Sequence, residues 1–397
     1  MAEEITLRLL SLNCWGIPYI SKNRADRMDA ICKHICSDEY DIVCFQEIWL
    51  INDYKTIKAK TQEKLPHSHY FYSGVLGSGI CIFSRFPIQD VMFHRWSLNG
   101  YVHKIHHGDW FGGKGVGLCR VKVNGANINI YVAHLHAEYN TKNDEYHAHR
   151  ILQAFDMAQF IRMTERGADA VVLGGDLNTG PSDLAYKIIR GVAGLMDACS
   201  NESGDLGTSE CANNSYTPSR IARLCPQGKR IDHILYMGSK NFKIEVVSFE
   251  LPLPKRVPEK DFSYSDHEAV AAQLKLRKGE YQISDIDIRD SLKEALKVCD
   301  ESLSCVRRQR IWYLIACLLL VVPLVWSMGI ETITRSIGVS IGLNIVRLLG
   351  TAILCYALFM STIWNCVEQN ALRAGYLGME IHLLQLNNSL NNKNQNL

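Results

Sequence analysis

Several residues whose side chains can bind metal ions or transfer protons stand directly after apolar, β-rich stretches of this chain. A hard cation such as Mg²⁺ takes one or two carboxylates from the protein, and substrate phosphate and water complete its octahedron. A His can take a proton from water if a nearby carboxylate fixes its tautomer. These residue types together favour metal-assisted hydrolysis of a phosphodiester. The candidates are Asn13, Glu47 in FQEIW, His134 and His136, Asp176 and Asn178 in GGDLN, and Asp266 and His267 in YSDHEA.

The stretches before these residues predict a buried sheet that positions them. TLRLLSLN, DIVCFQE, ANINIYVAHLH and AVVLGGDLN are short β-rich runs that end in polar residues. Such runs are typical of buried strands whose ends carry functional groups. Between them, residues 143–166 place Ile151, Phe155 and Ala158 at helical spacing. The sequence therefore predicts an α/β sandwich of two sheets with helices outside.

Composition limits the choice of function. The 397 residues include 43 basic and 41 acidic side chains, a formal net charge of +2, so no overall excess steers the chain toward nucleic acid. The first residues, MAEEITLRLL, lack the positive charge of a signal peptide. The 14 cysteines form no CxxC pair, which favours free thiols in a reducing compartment over zinc or disulfides.

The carboxyl-terminal third predicts a membrane hairpin. Residues 311–329 carry no charge and are about as long as the ~20 residues that cross a bilayer. The next apolar stretch contains Arg347, which is costly at mid-helix, so we place the second span at 348–364 with Arg347 at its edge. A hairpin is favoured over a single span. Residues 279–310 predict an amphipathic linker, either a connecting helix or one on the membrane surface.

Basic residues predict the orientation of this hairpin. Lys293, Lys297, Arg307, Arg308 and Arg310 precede the first span, whereas the intervening loop offers only Arg335 and Arg347. Because cytoplasmic flanks carry the excess of Lys and Arg, residues 1–278 and the tail 365–397 are expected in the cytosol.

The candidate residues, in their order along the chain, resemble the endonuclease/exonuclease/phosphatase superfamily, which has the DNase I-like fold. The matching features are Asn13, Gln46-Glu47, His134, GDLN at 175–178 and SDH at 265–267. This resemblance implies a four-layer α/β/β/α sandwich and divalent-metal phosphoester hydrolysis. The membrane hairpin would follow as an addition to that fold.

Within the superfamily the chain is most similar to the neutral sphingomyelinases, in the small form with a carboxyl-terminal membrane hairpin. The strings that carry the similarity are LNCWGIPYISKNRADRM, GSGICIFSRFPI, LNGYVHKIHHGDWFGGKGVGL and VAHLHAEYN. The resemblance implies a phospholipase C-type reaction in which sphingomyelin or a related phosphosphingolipid yields ceramide and phosphocholine. It also implies a cytosol-facing membrane, such as the endoplasmic reticulum or nuclear envelope. The head group and the oligomeric state stay open.

The resemblance also implies roles for the candidate residues. Glu47 would be the principal Mg²⁺ ligand with Asn13 assisting, and His267 would be the base, with Asp266 in the same machinery. His134 would donate to a phosphate oxygen or the leaving alkoxide, while Asp176 and Asn178 hold water and phosphate. Asp232 also matches a superfamily position, but it ranks lower because an Asp at a strand edge could simply orient Arg230 or a loop.

The spacing of Asp109 and Lys114 in HHGDWFGGKG permits two interpretations. The larger membrane sphingomyelinases are described with an Asp/Lys pair of this spacing that acts as a switch, which would place Lys114 at the substrate. The alternative is a Gly-rich hairpin with a solvated lysine.

Other functions remain open at this point. A Mg²⁺-dependent nuclease, an inositol polyphosphate phosphatase and a lysophospholipid-specific phospholipase C would use similar residues. The first two would need a basic surface that the sequence does not offer. A membrane scaffold without turnover is disfavoured by the intact set of candidate residues.

Overall fold

The computed structural model describes residues 4–140, 142–199, 206–279, 286–331 and 337–395. The strands within this part are β1 (Ile5–Asn13), β2 (Ile42–Gln46), β3 (His67–Tyr70), β4 (Cys81–Ser84), β5 (Ile88–Arg95), β6 (Gly115–Val123), β7 (Ala126–His134), β8 (Ala170–Asp176), β9 (Met196–Asp197), β10 (Asp232–Gly238), β11 (Phe242–Glu250) and β12 (Val270–Lys278). The helices are α1 (Arg24–Ser37), α2 (Ile51–Thr61), α3 (His147–Thr164), α4 (Leu184–Ala193), α5 (Ser219–Leu224), α6 (Arg289–Glu331), α7 (Ile337–Phe359) and α8 (Asn365–Gln395).

Two six-stranded sheets form the centre of the first unit, residues 1–291. One has the order β11-β12-β1-β2-β4-β3 and the other β5-β6-β7-β8-β10-β9. Neighbouring strands are antiparallel except for β1 with β2 and β7 with β8, which are parallel. The parallel pairs bring the carboxyl ends of two strands to the same edge of each sheet.

Strand β1 shows why its sheet is covered on both faces. Successive side chains of a strand point to opposite faces. Leu7 and Leu9 belong to the apolar cluster that also takes side chains of the second sheet. Leu10 and Leu12 belong to a second cluster together with side chains of α1 and α2. A strand buried on both faces explains the nearly continuous apolar run TLRLLSL.

Helix α3 belongs to the outer layer of the second sheet. It buries Ile151, Phe155 and Ala158, the positions with helical spacing in the sequence. The Thr164 hydroxyl at its end lies 2.7 Å from the hydroxyl of Tyr131 on β7. With α1 and α2 on the first sheet, the layers are α/β/β/α, and the predicted DNase I-like fold class is confirmed.

The second unit, residues 292–397, contains the long apolar helices. Two stretches, Arg289–Ile330 and Ile337–Ser389, are long and apolar enough to cross a membrane. Helix α6 is continuous through the predicted linker and first span, although 280–285 of the linker lie outside the described residues. The first unit extends to Ser291, and within it Ile288 packs closely on Gly191 of α4.

Arg347 lies inside helix α7, and its guanidinium forms hydrogen bonds with polar groups of both apolar helices. Its Nε donates to the Ser327 hydroxyl on α6 at 3.0 Å, and Nη1 donates to Asn344 Oδ1 at 3.1 Å. The two apolar helices thus supply hydrogen-bond acceptors for this charge.

Candidate active site

The registers of the strands bring the candidate residues to one edge of the sandwich. Asn13 lies opposite Gln46 at the ends of β1 and β2, and His134 lies opposite Asp176 at the ends of β7 and β8. Strand β10 runs antiparallel to β8, so its first residue, Asp232, also lies opposite Asp176. The SDH segment enters the same edge just before β12, which pairs with β1.

Asp176 is the centre of this group. Its Oδ2 accepts a hydrogen bond from Asn13 Nδ2 at 2.9 Å and lies 3.4 Å from His134 Nε2 and 3.9 Å from His267 Nε2. Its Oδ1 accepts the backbone N–H of Asn178 at 3.0 Å. Although burial alone would raise it, the two imidazoles and the hydrogen bonds hold the pKa of Asp176 below its usual value. Asp176 therefore stays a carboxylate and links four candidate residues.

His267 is oriented by Asp232, which was ranked below the other candidates from sequence. Its Nδ1 lies 2.9 Å from Oδ2 of the fully buried Asp232. Arg230, the partner suggested for Asp232 from sequence, pairs instead with Asp197 at 2.8 Å. Burial works against the charged imidazole, but Asp232 and Asp176 raise the pKa of His267 well above its usual value. The bond to Asp232 leaves Nε2 facing the site.

Glu47 places a buried carboxylate within the electrostatic field of this group. Its Oε2 is buried and has no hydrogen-bond partner in the described part of the chain. Burial, together with the charge of Asp266, raises the pKa of Glu47 to about 7. Its backbone has φ 58°, in the left-handed region, where a non-Gly residue is strained. A buried, strained carboxylate next to a second carboxylate is the kind of site that a hard cation stabilises.

Two sets of residues could hold a metal ion. Asp176, Asp232 and His267 offer ligand atoms within 4.8 Å of one another. However, Asp232 and His267 Nδ1 already bond each other, and imidazole is a poor ligand for Mg²⁺. Glu47 and Asp266 offer oxygen ligands. Asn13 Oδ1 accepts the backbone N–H of Trp15 at 2.9 Å, and its second lone pair can face a cation. The Glu47 set therefore fits Mg²⁺ better.

His134 and His136, which the sequence could not separate by strand alternation, face different partners. Strand β7 ends at His134, whose Nε2 faces Asp176. His136 Nε2 lies 3.4 Å from Asp109 Oδ2. Burial lowers the pKa of His134 to about 3, so its imidazole is neutral, and its Nδ1 has no partner among the described residues. His134 therefore belongs with the candidate residues around Asp176.

Lys114 is buried. Its ammonium lies 2.8 Å from Asp109 Oδ1, and the two side chains are 4% and 5% exposed. This excludes the solvated lysine considered from sequence. The positive charge of Lys114 also acts to lower the pKa values of both Glu47 and His134, so the ammonium lies within the electrostatic field of the site.

Arg27, to which the sequence assigned no role although it lies in the string LNCWGIPYISKNRADRM, holds two of the site's segments. Its guanidinium donates to the carbonyls of Cys14 and Trp15, which follow Asn13, at 2.7 and 2.8 Å. It also donates to the carbonyl of Tyr264, two residues before Asp266, at 3.1 Å. The only signal in the sequence was the position of Arg27 at helical spacing among apolar residues of α1. Nothing local distinguished it from a surface Arg.

Known proteins are similar to this chain in sequence and in fold. The model described as "Endonuclease/Exonuclease/phosphatase family" matches residues 10–267. A putative neutral sphingomyelinase of Drosophila melanogaster is 38% identical over 96% of this chain and 97% of that protein. Human sphingomyelin phosphodiesterase 2 is 43% identical over 69% of this chain and 66% of that protein. Sphingomyelinase C from Streptomyces griseocarneus has the same fold, with a TM-score of 0.52 and 18% identity, over 68% of this chain and 99% of that structure.

The fold and the site thus define a phosphodiesterase of the Endonuclease/Exonuclease/phosphatase family, to which the chain belongs. Within that family it belongs to the neutral sphingomyelinases, because the similarity to the Drosophila protein extends over nearly the full length of both chains. The predicted superfamily, subgroup and enzyme class are confirmed.

Proposed function

We propose that the protein hydrolyses sphingomyelin, or a closely related phosphosphingolipid, to ceramide and a phosphorylated head group. The observation that carries the proposal is the constellation Asp232–His267–Asp176 beside Glu47, whose buried Oε2 has no hydrogen-bond partner among the described residues, in a chain of the neutral sphingomyelinase family. Proton acceptor, candidate metal ligands and phosphate-binding groups converge on one edge. That arrangement supports in-line attack of water on a phosphodiester.

His267 is the proposed base. Asp232 fixes Nδ1, so Nε2 is the atom that takes the proton from the attacking water. Asp176 holds Asn13, Asn178 and both imidazoles around one carboxylate, and it therefore sets the position of the water and phosphate relative to His267. Asp266 lies next to His267 in the chain and adds negative charge beside Glu47.

His134 and Lys114 are proposed to contact the phosphate. His134 is neutral and faces Asp176 across 3.4 Å, so its ring can donate one hydrogen bond to a phosphoryl oxygen or to the leaving alkoxide. Lys114 adds a buried positive charge near Glu47. Asn178, whose Nδ2 donates to the Leu135 carbonyl at 3.0 Å, is held in place to contact phosphate or water.

Mg²⁺ is the proposed cofactor, and Glu47, Asp266 and Asn13 are the residues that would hold it. Oxygen donors and the unsatisfied Glu47 Oε2 support this choice. When bound, the ion would supply Lewis-acid stabilisation of the phosphoryl oxygens, and its charge would offset that of Asp266, one of the carboxylates that raise the pKa of His267.

The test is product release from detergent-dispersed sphingomyelin by the full chain, with Mg²⁺ or with EDTA. Wild type is expected to release ceramide only with Mg²⁺, and Glu47→Ala and His267→Ala are expected to lose at least about 10³-fold in kcat. The matched controls are Glu63→Ala and His67→Ala, which lie away from the site on α2's carboxyl-terminal side and on edge strand β3; both should keep wild-type rates.

Parallel substrates separate the competing functions. Abasic DNA tests the nuclease alternative, lysophosphatidylcholine tests the lysophospholipid alternative, and ceramide phosphoethanolamine tests the head group. Mg²⁺-dependent cleavage of DNA without lipid turnover would keep the fold and overturn the proposed substrate.

We further propose that the two apolar helices anchor the enzyme in a cytosol-facing membrane, such as the endoplasmic reticulum or nuclear envelope. Two stretches suited to cross a membrane, and the excess of Lys and Arg before the first of them, support this location.

A further inference from the structure

The Asp109 carboxylate has a second hydrogen-bond partner besides Lys114. Its Oδ1 lies 2.8 Å from Lys114 Nζ, and its Oδ2 accepts the Tyr139 hydroxyl at 2.5 Å. His136 Nε2 lies 3.4 Å from the same Oδ2 but has no hydrogen-bond partner among the described residues, while His136 Nδ1 faces the Ala137 carbonyl at 2.8 Å. Tyr139 is therefore the donor that fixes Oδ2, which leaves Oδ1 directed at Lys114.

Tyr139 is itself held in place by a closed ring of side chains, which we call the Asp109 ring. The Tyr139 ring stacks on His107 with centroids 3.9 Å apart and planes at 10°. His107 Nδ1 lies 2.7 Å from the Tyr146 hydroxyl. Tyr146 stacks on His136 at 3.8 Å and 22°, and His136 returns to Asp109. The orientation of the Tyr139 hydroxyl is therefore set by packing as well as by its hydrogen bond.

The backbone around Asp109 is also held in place by hydrogen bonds. Asn99 Nδ2 donates to the carbonyls of Asp109 and Gly112 at 2.8 and 2.6 Å, and Gly113 N–H donates to the Gly77 carbonyl at 2.8 Å. Lys114 then leads directly into β6. The main chain on both sides of the pair is thus fixed, so the remaining freedom lies in the Asp109 carboxylate and the four-carbon lysine chain.

We propose that Tyr139 is a positioning residue for the phosphodiesterase reaction: its hydroxyl fixes the Asp109 carboxylate, which holds the Lys114 ammonium toward the phosphate. The inference rests on the proposed role of Lys114 and adds a residue to it. Tyr139 acts through Asp109 and Lys114 and does not itself contact the reacting atoms. Loss of the Tyr139 hydroxyl should therefore reduce turnover only in variants that retain Lys114.

The test is a double-mutant cycle in the full-length protein. Tyr139→Phe removes one hydrogen bond to a charged group and is expected to lower kcat about tenfold or more, with KM for detergent-dispersed sphingomyelin unchanged. In a Lys114→Met background the same change should have no further effect, because residues that act through one another are not additive. The matched control is Tyr131→Phe on β7, which removes a buried hydroxyl bonded to Thr164 of α3 and should leave kcat unchanged.

Three outcomes would overturn the inference: an unchanged kcat for Tyr139→Phe, a change in KM alone, or an equal loss of kcat in the Lys114→Met background. Thermal unfolding of Tyr139→Phe and Tyr131→Phe shows whether a loss of activity is a loss of folding. The cycle is also run on bis(p-nitrophenyl) phosphate. If wild type cleaves that diester and not sphingomyelin, the proposed substrate fails while the role of Tyr139 is still decided.

Discussion

Glu47 is buried with one carboxylate oxygen that lacks a hydrogen-bond partner in the described part of the chain. An uncompensated buried carboxylate destabilises the folded state, and a ligand that binds only that state stabilises it. We expect the stability of the apoprotein and the response to Mg²⁺ to change in opposite directions when this charge is removed.

Glu47→Gln is therefore expected to raise the unfolding midpoint without Mg²⁺ and to abolish the increase that Mg²⁺ gives wild type. At 100 times Kd, that increase corresponds to about 2.7 kcal/mol for one site. Differential scanning calorimetry with Mg²⁺ or EDTA measures both effects, and Glu63→Gln is the control. A Glu47→Gln variant still stabilised by Mg²⁺ as strongly as wild type would remove Glu47 from the proposed metal site.

The types of the site residues could be predicted from sequence, but their partners could not. Asp176 stood out because it ends an apolar strand, and His267 stood out because it stands in an Asp-His dipeptide. Asp232 was ranked low because an Asp at a strand edge could orient Arg230 or a loop. Its actual partner, His267, is 35 positions away in the chain, and only the pairing of β10 with β8 brings Asp232 to the site. The environment of Lys114 was also ambiguous, because a Gly-rich segment does not indicate whether its lysine is buried.

At the scale of elements, the strand ends carry the residues and the loops between them determine their geometry. Periodicity and burial predicted strands such as β1 and β7 and helix α3, because each buries side chains in a repeating pattern. The loop after β1 has no such pattern. Its conformation depends on Arg27, whose contacts reach residues far apart in sequence.

Arg27→Met should destabilise the fold and disturb the site together. The guanidinium is fully buried and donates to four carbonyls, and the change leaves those of Cys14, Trp15 and Tyr264 without their donor. Each unsatisfied carbonyl costs about 1–3 kcal/mol, so a loss of about 3 kcal/mol or more in the free energy of unfolding is expected. Denaturant titration of the full chain in detergent measures it.

Arg277→Met is the control for this prediction, because Arg277 pairs with Glu4 and Glu245 at a half-exposed position, where ion pairs contribute about 0–1 kcal/mol. Equal effects of the two substitutions would contradict the role given to Arg27. A stable Arg27→Met protein that keeps wild-type turnover would contradict it as well.

At the scale of the whole molecule, the chain combines a hydrolase unit with a unit of long apolar helices. Hydropathy predicted the two apolar stretches, since length and lack of charge suffice for that. It could not show how Arg347 is accommodated, because its partner Ser327 lies on the other helix. This interhelical hydrogen bond joins residues 20 positions apart, so the sequence pattern of neither helix alone indicates it.

The proposed hairpin predicts where an oligosaccharide can be added. Asn213 and Asn387 stand in N-x-S sequons on either side of the two apolar helices. If both flanks face the cytosol, neither is glycosylated when the full chain is translated with microsomes, whereas an acceptor sequon with a flexible spacer inserted between residues 331 and 337 is modified. A mobility shift removed by endoglycosidase reports the modification. Modification of Asn387 alone would instead indicate a single span, and modification of Asn213 would reverse the orientation of the catalytic unit.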